Sequence, residues 1–187
     1  TGLIDVPDAS KMFLSEENSN ESGTVIIPAL EGTRPLLVEI QSLVAPTPYV
    51  PPRRTSDSID IKKIQLLLAV LEKRVHLNMG TCDVYVKVAG GIKIDDPAVD
   101  LALCCAMASS FRNQSIKPQT IIFGEVGLSG EVRSVSQPDI RVREAIRMGF
   151  TNIILPAKNL ERLEHFASNV QIHGVRYLSE ALKIALN

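Results

Sequence analysis

The sequence predicts a mixed α/β (α+β) domain in which helices layer against one or two sheets. Three observations predict it. Two apolar, β-branched runs near the start flank a glycine-containing turn, helix-like and strand-like segments then alternate to the end, and 45% apolar against 22% charged residues supplies a core. At roughly 150 residues per domain, the 187 residues make one domain with at most an attached arm or hairpin.

Residues 1–22 carry Asp, Ser, Glu and Asn around Met12-Phe13-Leu14 and read as an irregular lead-in. Segments 24–27 and 35–44 alternate in part on either side of Glu31-Gly32-Thr33-Arg34, which predicts an N-terminal β-hairpin. The stretch 45–54 brings Pro46, Pro48, Pro51 and Pro52 close together. Proline excludes both helix interior and central strand, so this is an extended connector or arm.

From Ile61 onward Ile61, Ile64, Leu67, Leu68 and Leu71 recur at helical spacing with Lys62, Lys63, Glu72, Lys73 and Arg74 between them, an amphipathic helix. Residues 83–88 alternate as a strand, Gly90-Gly91 breaks it, and Pro97 opens a helix running to about Ser110. Leu101, Leu103, Cys104 and Met107 with Ala102, Ala106 and Ala108 make that helix apolar almost all round, so it is expected to be buried on most sides. Segments 120–127 and 130–135 predict one hairpin turning at Leu128-Ser129. A charged helix over 139–148 ends at Gly149. There follow a short buried strand at 153–155, a helix over 158–165, strand-like pieces at 170–172 and 175–177, and a closing helix over 179–186.

Twenty Lys and Arg against 21 Asp and Glu leave a net charge of -1, so avid nucleic-acid or membrane binding by bulk charge is excluded and any basic surface must be local. Aromatics at 4%, with no Trp, argue against an extended base-stacking platform. Cys82, Cys104 and Cys105 lack CxxC spacing, which indicates neither a disulfide framework nor a zinc site and fits a reducing compartment. The longest apolar runs fall well short of the roughly 18 residues that span a bilayer, so a soluble protein is expected. A chain opening on Thr1 reads as a piece of a longer polypeptide.

Asp95, Asp96 and Asp100 cluster near a helix start, where a divalent cation or the helix dipole would favour them; the dipole is the stronger reading and no metal site is assigned. His76, His165 and His173 fall in separate segments without a triad pattern, and Cys104 and Cys105 sit mid-helix as core. No GxxxxGK[ST] loop is present.

The segment Ala89-Gly90-Gly91-Ile92-Lys93-Ile94-Asp95-Asp96-Pro97-Ala98-Val99-Asp100-Leu101-Ala102, followed by Phe123-Gly124-Glu125-Val126-Gly127-Leu128-Ser129-Gly130-Glu131-Val132-Arg133, resembles the proteolytic domain of Lon. More closely still it resembles the Lon-like carboxy-terminal domain of the RadA (Sms) family of bacterial recombination proteins, as do residues 31–41 and 67–73. The resemblance implies the Lon proteolytic-domain fold (ribosomal protein S5 domain 2-like) over 23–187, with 1–22 leading in from a preceding ATPase core.

Lon proteases cut with a serine nucleophile and a lysine base. Carried onto this chain, the serine position falls on Ala98 and the lysine position on Arg141. A methyl cannot attack, and a guanidinium stays protonated and cannot act as a base. The expectation is a non-proteolytic domain with no catalytic residues. Ser109 and Ser110 lie at the far end of the helix, too remote to substitute.

The family resemblance implies a homohexameric ring that contacts single-stranded or branched DNA during branch migration, with the recombinase RecA as a further partner and no membrane. It also implies a cytoplasmic protein of a bacterium, or of an organelle of bacterial descent. ATP, Mg and Zn would belong to parts preceding this chain, and no cofactor is expected within it. The basic residues are Lys62, Lys63, Lys73, Arg74, Lys87, Lys93, Arg133, Arg141, Arg143 and Arg147. Six are the DNA-contact candidates: Arg133, Arg141, Lys87, Lys93, Lys62 and Lys63. Arg141 keeps a second open role, pairing with Asp95 or Asp96. The rival readings are a working serine peptidase with a displaced nucleophile and a pure protein-interaction module.

Overall fold

A computed structural model describes residues 21–163, 166 and 169–186, so residues 1–20 of the lead-in lie outside the described residues. The N-terminal hairpin forms from β1 (Thr24–Glu31) and β2 (Arg34–Pro46), paired antiparallel from Thr24 opposite Gln41 to Glu31 opposite Arg34. Gly32, at φ 63°, supplies the left-handed turn residue between them. β2 runs on into the proline-rich stretch, ending at Pro46. The chain then returns as β3 (Arg54–Ser56), a strand not expected from the sequence, which pairs parallel with β4 (Cys82–Val88). The connector is pinned: the Arg54 guanidinium donates to the carbonyls of Cys82 and Met79, and the Arg53 N–H donates to Asp83 Oδ1 at 2.7 Å.

The predicted amphipathic helix is α1 (Ile61–Val75), capped by the Asp60 side chain, which accepts from the Lys62 N–H, and closed by His76 in the left-handed conformation. The apolar helix is α2 (Val99–Arg112). Every residue from Val99 to Ser110 is buried, as expected of a helix apolar all round. It packs chiefly on β1 and β2 and also meets α1 and the closing helix α5 (Leu178–Ala185).

The single hairpin expected over 120–135 is instead two structures. β5 (Thr120–Ile122) joins the main sheet parallel to β1, while β6 (Glu125–Val126) and β7 (Val132–Arg133) form a separate two-stranded ribbon. The break is Gly124. Its N–H donates to the Ala98 carbonyl at 3.0 Å and its own carbonyl accepts from Leu101 N–H at 2.9 Å, so both backbone groups are spent on the start of α2. A Cβ there would meet Val132 Cγ1 at 3.0 Å and Leu101 and Pro156 at 3.3 Å, a crowding only glycine avoids.

α3 (Pro138–Arg147), β8 (Asn152–Pro156) and α5 form as expected. The helix expected over 158–165 is a single turn, α4 (Ala157–Leu160), whose continuation tightens through i→i+3 bonds from Arg162 N–H to Asn159 and from Leu163 N–H to Leu160; residues 164 and 165 lie outside the described residues. The two strand-like pieces at 170–177 are one strand, β9 (Gln171–Val175).

Among the described residues the main sheet has seven strands in the order β3-β4-β2-β1-β5-β8-β9, antiparallel in the β4-β2-β1 part and parallel across β1-β5-β8-β9. Leu36, Leu37, Val38, Glu39 and Ile40 are all buried although alternate side chains face opposite ways, so both faces of the sheet are covered at its centre. Both α2 and α3 pack on β1 and β2. Among the described residues no helix is long and apolar enough to cross a membrane.

Candidate functional site

The turn into α2 brings Asp96 and Ala98 against β1, and α3 brings Arg141 to the same point. Asp96 Oδ1 accepts from the Ala98 N–H at 3.0 Å and Asp96 Oδ2 from the Leu30 N–H at 3.1 Å. Arg141 grips the same carboxylate with both arms of its fork, Nη1 on Oδ2 at 2.7 Å and Nη2 on Oδ1 at 3.2 Å. It also donates from Nη1 to the Pro28 carbonyl at 2.8 Å and from Nε to the Ser136 carbonyl at 3.0 Å. The guanidinium lies near the Phe123 ring, 5.8 Å from its centroid. Ala98 and Arg141 are both fully buried.

The two residues at the serine and lysine positions are thus held beside one carboxylate. Burial by itself would push the Asp96 carboxyl up. The hydrogen bond and charge of Arg141, with the N–H groups of Ala98 and Leu30, more than offset this and hold it below the ordinary carboxylate range. Of the two roles open to Arg141, the structure selects pairing with Asp96; Asp95 is exposed. With no accessible surface Arg141 has nothing to offer a phosphate, so its place among the DNA-contact candidates is corrected.

The neighbouring carboxylate is likewise committed to a cation. Asp100 Oδ1 meets Lys63 Nζ at 2.6 Å and Oδ2 accepts from the Val126 N–H at 3.2 Å, tying α1, α2 and β6 together. Lys63, with its side chain 28% exposed, is therefore half withdrawn from the surface.

The serines considered as substitutes turn out to be structural. Ser109 Oγ accepts from the Gly23 N–H at 2.8 Å and donates to the Gln114 carbonyl at 2.5 Å, and Ser110 Oγ accepts from the Val44 N–H at 2.9 Å. Burial pushes the Cys105 thiol up to about 12, and burial with the nearby Cys105 and Asp100 raises Cys104 well above its usual value. Neither is a thiolate near neutrality. His173 meets Asn152 Oδ1 at 2.8 Å, His76 closes α1, and His165 lies outside the described residues.

The remaining basic candidates are not gathered in one place. Lys62 and Lys93 are exposed; Lys87 is exposed on β4 and lines a depression with Gln41, Leu43 and Tyr85. Arg133 is exposed and lines a different groove with Lys158, Arg162 and Arg176, three cations that no sequence motif singled out. The one signal was for two of them, the spacing of four between Lys158 and Arg162, which would share one side of the helix expected over 158–165; Arg176 had none. Arg74 Nε donates to the Leu128 carbonyl at 3.3 Å, and Arg147 pairs with Glu144 one turn away at 2.5 Å.

The family model of the Lon protease (S16) C-terminal proteolytic domain matches residues 63–187. Among curated proteins, the DNA repair protein RadA of Halalkalibacterium halodurans is 44% identical over 186 residues, 100% of this chain and 40% of that protein. RadA of Bacillus subtilis is 46% identical and RadA of Listeria monocytogenes 45%, each over 99% of this chain and 40% of the relative. The chain therefore spans about two fifths of the length of the curated relatives it matches.

Proposed function

The chain belongs to the Lon protease C-terminal proteolytic-domain family, and on that premise we propose that it acts without proteolysis, as the Lon-like domain of a RadA-type DNA-dependent ATPase in DNA repair and homologous recombination. One observation carries the reading: a methyl stands at the serine position, and the cation at the lysine position is fully buried with its fork closed on Asp96. A base must shed a proton to accept one, and a guanidinium held between a carboxylate and two carbonyls does not. The identity of 44–46% over essentially the whole chain to proteins named for DNA repair supports the setting.

In this reading the domain contributes ring assembly as a homohexamer and a DNA-contacting surface for branch migration. ATP, Mg and Zn are held by parts of the longer protein outside this chain, in the bacterial cytoplasm. Six copies of one local basic patch around a ring add their fields even when each copy is nearly neutral overall.

The test removes this domain from the full-length protein and measures assembly by light scattering, salt-dependent DNA retention, and branch migration. Loss of the hexamer together with weakened DNA retention is expected. A deletion that leaves all three intact refutes the reading, and turnover of unfolded casein that one serine substitution abolishes would make the domain a peptidase instead.

A further inference from the structure

Beside β9 lies a groove of about 660 Å³ with no role in the site described above. Its walls are β7, α4 and the residues that follow β9. They are fixed to one another by backbone and buried polar bonds. The Val132 N–H donates to the Arg176 carbonyl at 2.8 Å and the Leu178 N–H to the Gly130 carbonyl at 2.8 Å. Buried Asn159 clamps α4 to the segment after β7, its Oδ1 accepting from the Val135 N–H at 2.9 Å and its Nδ2 donating to the Val135 carbonyl at 3.1 Å. Gly174 lets α4 lie close on β9, since a Cβ there would come within 2.8 Å of Leu160 Cδ2. A groove framed this way is set before anything binds.

Four cations line it: Arg133, Lys158, Arg162 and Arg176, all exposed. Among the described residues, no carboxylate is within ion-pair distance of Lys158, Arg162 or Arg176. Arg133 reaches only Glu131, at 3.9 Å, with its own side chain 61% exposed, a pairing worth little in water. Glu131 is drawn the other way, its Oε1 accepting from the Ser129 N–H at 3.1 Å. Glu161 is the other acid at the rim. In a chain of net charge -1, four cations against two acids among the described residues of one groove is a local excess that suits a run of phosphates. Tyr177 adds an aromatic ring at the same place, 54% exposed and paired through its backbone with Glu131.

Duplex DNA is a stiff rod that would rest on the rim of so small a groove. A single strand, with free backbone torsions and unpaired bases, can enter it and stack on a ring. We propose that this groove is the single-stranded DNA contact of the domain, with Arg133, Lys158, Arg162 and Arg176 on phosphates and Tyr177 against a base. The proposal rests on the DNA-platform reading above and names where that contact is made and with which form of DNA.

The test is fluorescence anisotropy of a labelled oligothymidylate with the 187-residue chain, titrated at several salt concentrations and compared with a duplex of the same length. Substituting Lys158→Gln, Arg162→Gln or Arg176→Gln singly should weaken binding, and each lost phosphate contact should flatten the log–log salt dependence by about 0.7. Tyr177→Leu should weaken binding about fivefold or more with the salt slope unchanged, because stacking releases no counterions. Lys183→Gln, an exposed cation outside the groove's lining, should bind as wild type. All these side chains are exposed, and an unchanged thermal midpoint confirms that each variant folds. Binding unchanged in the groove variants but weakened in Lys62→Gln or Lys87→Gln overturns the groove while leaving a DNA platform elsewhere. A wild-type chain that retains no DNA at low salt overturns both. Duplex bound more tightly than single strand through the same residues overturns the single-strand assignment.

Discussion

Replacing Arg141 with methionine, which fills much of the same volume without charge, isolates what the buried fork contributes. The change strands the Asp96 carboxylate with only the Ala98 and Leu30 N–H groups as partners and removes the donors to the Pro28 and Ser136 carbonyls. Removing one member of a buried pair costs about 3–5 kcal/mol. That is a large share of the roughly 5–15 kcal/mol available to a domain, and at about 2–4 °C per kcal/mol for a chain of this size it lowers Tm by about 6–20 °C. Urea unfolding followed by far-ultraviolet circular dichroism reads the loss as a lower midpoint with unchanged slope. The pH dependence gives the cause away. In the wild type the Asp96 carboxyl is held below its ordinary value of 3.8, so its contribution is present above that pH and is lost as pH falls through the lower, folded-state value. Without Arg141 the main opposition to burial is gone and the folded-state value moves above the unfolded one. The penalty is then present at neutral pH and is relieved as pH falls through the raised value. The stability gap between the two proteins should therefore narrow on acidification. Adding Asp96→Asn to the variant should recover part of the loss at neutral pH. A deficit under about 1 kcal/mol, or a gap that does not change from neutrality into the acid range, would refute the reasoning.

Ala98→Ser restores the hydroxyl but faces a permanently charged Arg141, so no casein turnover should appear above the wild-type background; turnover gained by this single change would overturn the account of lost chemistry. Ser110→Ala orphans the buried Val44 N–H and should cost about 1–3 kcal/mol, with faster amide hydrogen exchange at Val44; unaltered exchange there would show the bond to be idle. With Cys82, Cys104 and Cys105 all buried and the Cys105 thiol pushed up to about 12, the native chain should resist iodoacetamide near neutral pH until denaturant is added. Labelling of Cys105 at the rate of an open thiol would contradict that burial.

The parts of the fold legible in the sequence are those whose pattern is local. The hairpin announces itself through β-branched runs around Gly32, α1 through its helical spacing from Ile61, and α2 through apolar residues on every side. The split of the 120–135 segment was not legible. It depends on Gly124 spending both its backbone groups on the start of α2, a contact that strand periodicity does not encode. The short α4 hides for a similar reason, since Asn159, which looks like one more helical polar residue, is buried and bonded to Val135. At the candidate site the motif located Ala98 and Arg141 and left the role of Arg141 between two choices. The decisive partners, the Pro28 carbonyl and the Asp96 carboxylate, lie 113 and 45 residues away along the chain. A residue flanked by Asp139, Arg143 and Glu144 reads as part of a solvated helix face, yet Arg141, Val142 and Ala145 are the buried side of α3.

The choice of arginine over lysine at position 141 can be tested apart from its charge. Arg141→Lys keeps a cation beside Asp96, so the large cost of an unpaired carboxylate is avoided. It loses the planar fork: one ammonium cannot sit on both carboxylate oxygens and also reach the Pro28 carbonyl in β1 and the Ser136 carbonyl at the entry to α3, which Arg141 serves from different nitrogens, Nη1 and Nε. At least one of these two carbonyls loses its donor, for a loss of about 0.5–3 kcal/mol depending on whether the exposed Ser136 or the buried Pro28 is the one abandoned, between wild type and the methionine variant. If charge alone were what mattered, the lysine variant would be as stable as wild type. Lysine as stable as arginine would mean that the fork does not join β1, the turn before α2, and α3 as described. A lysine variant as unstable as methionine would mean the ammonium fails to reach Asp96. Only the intermediate result fits a position at which the cation now serves as a three-way structural tie.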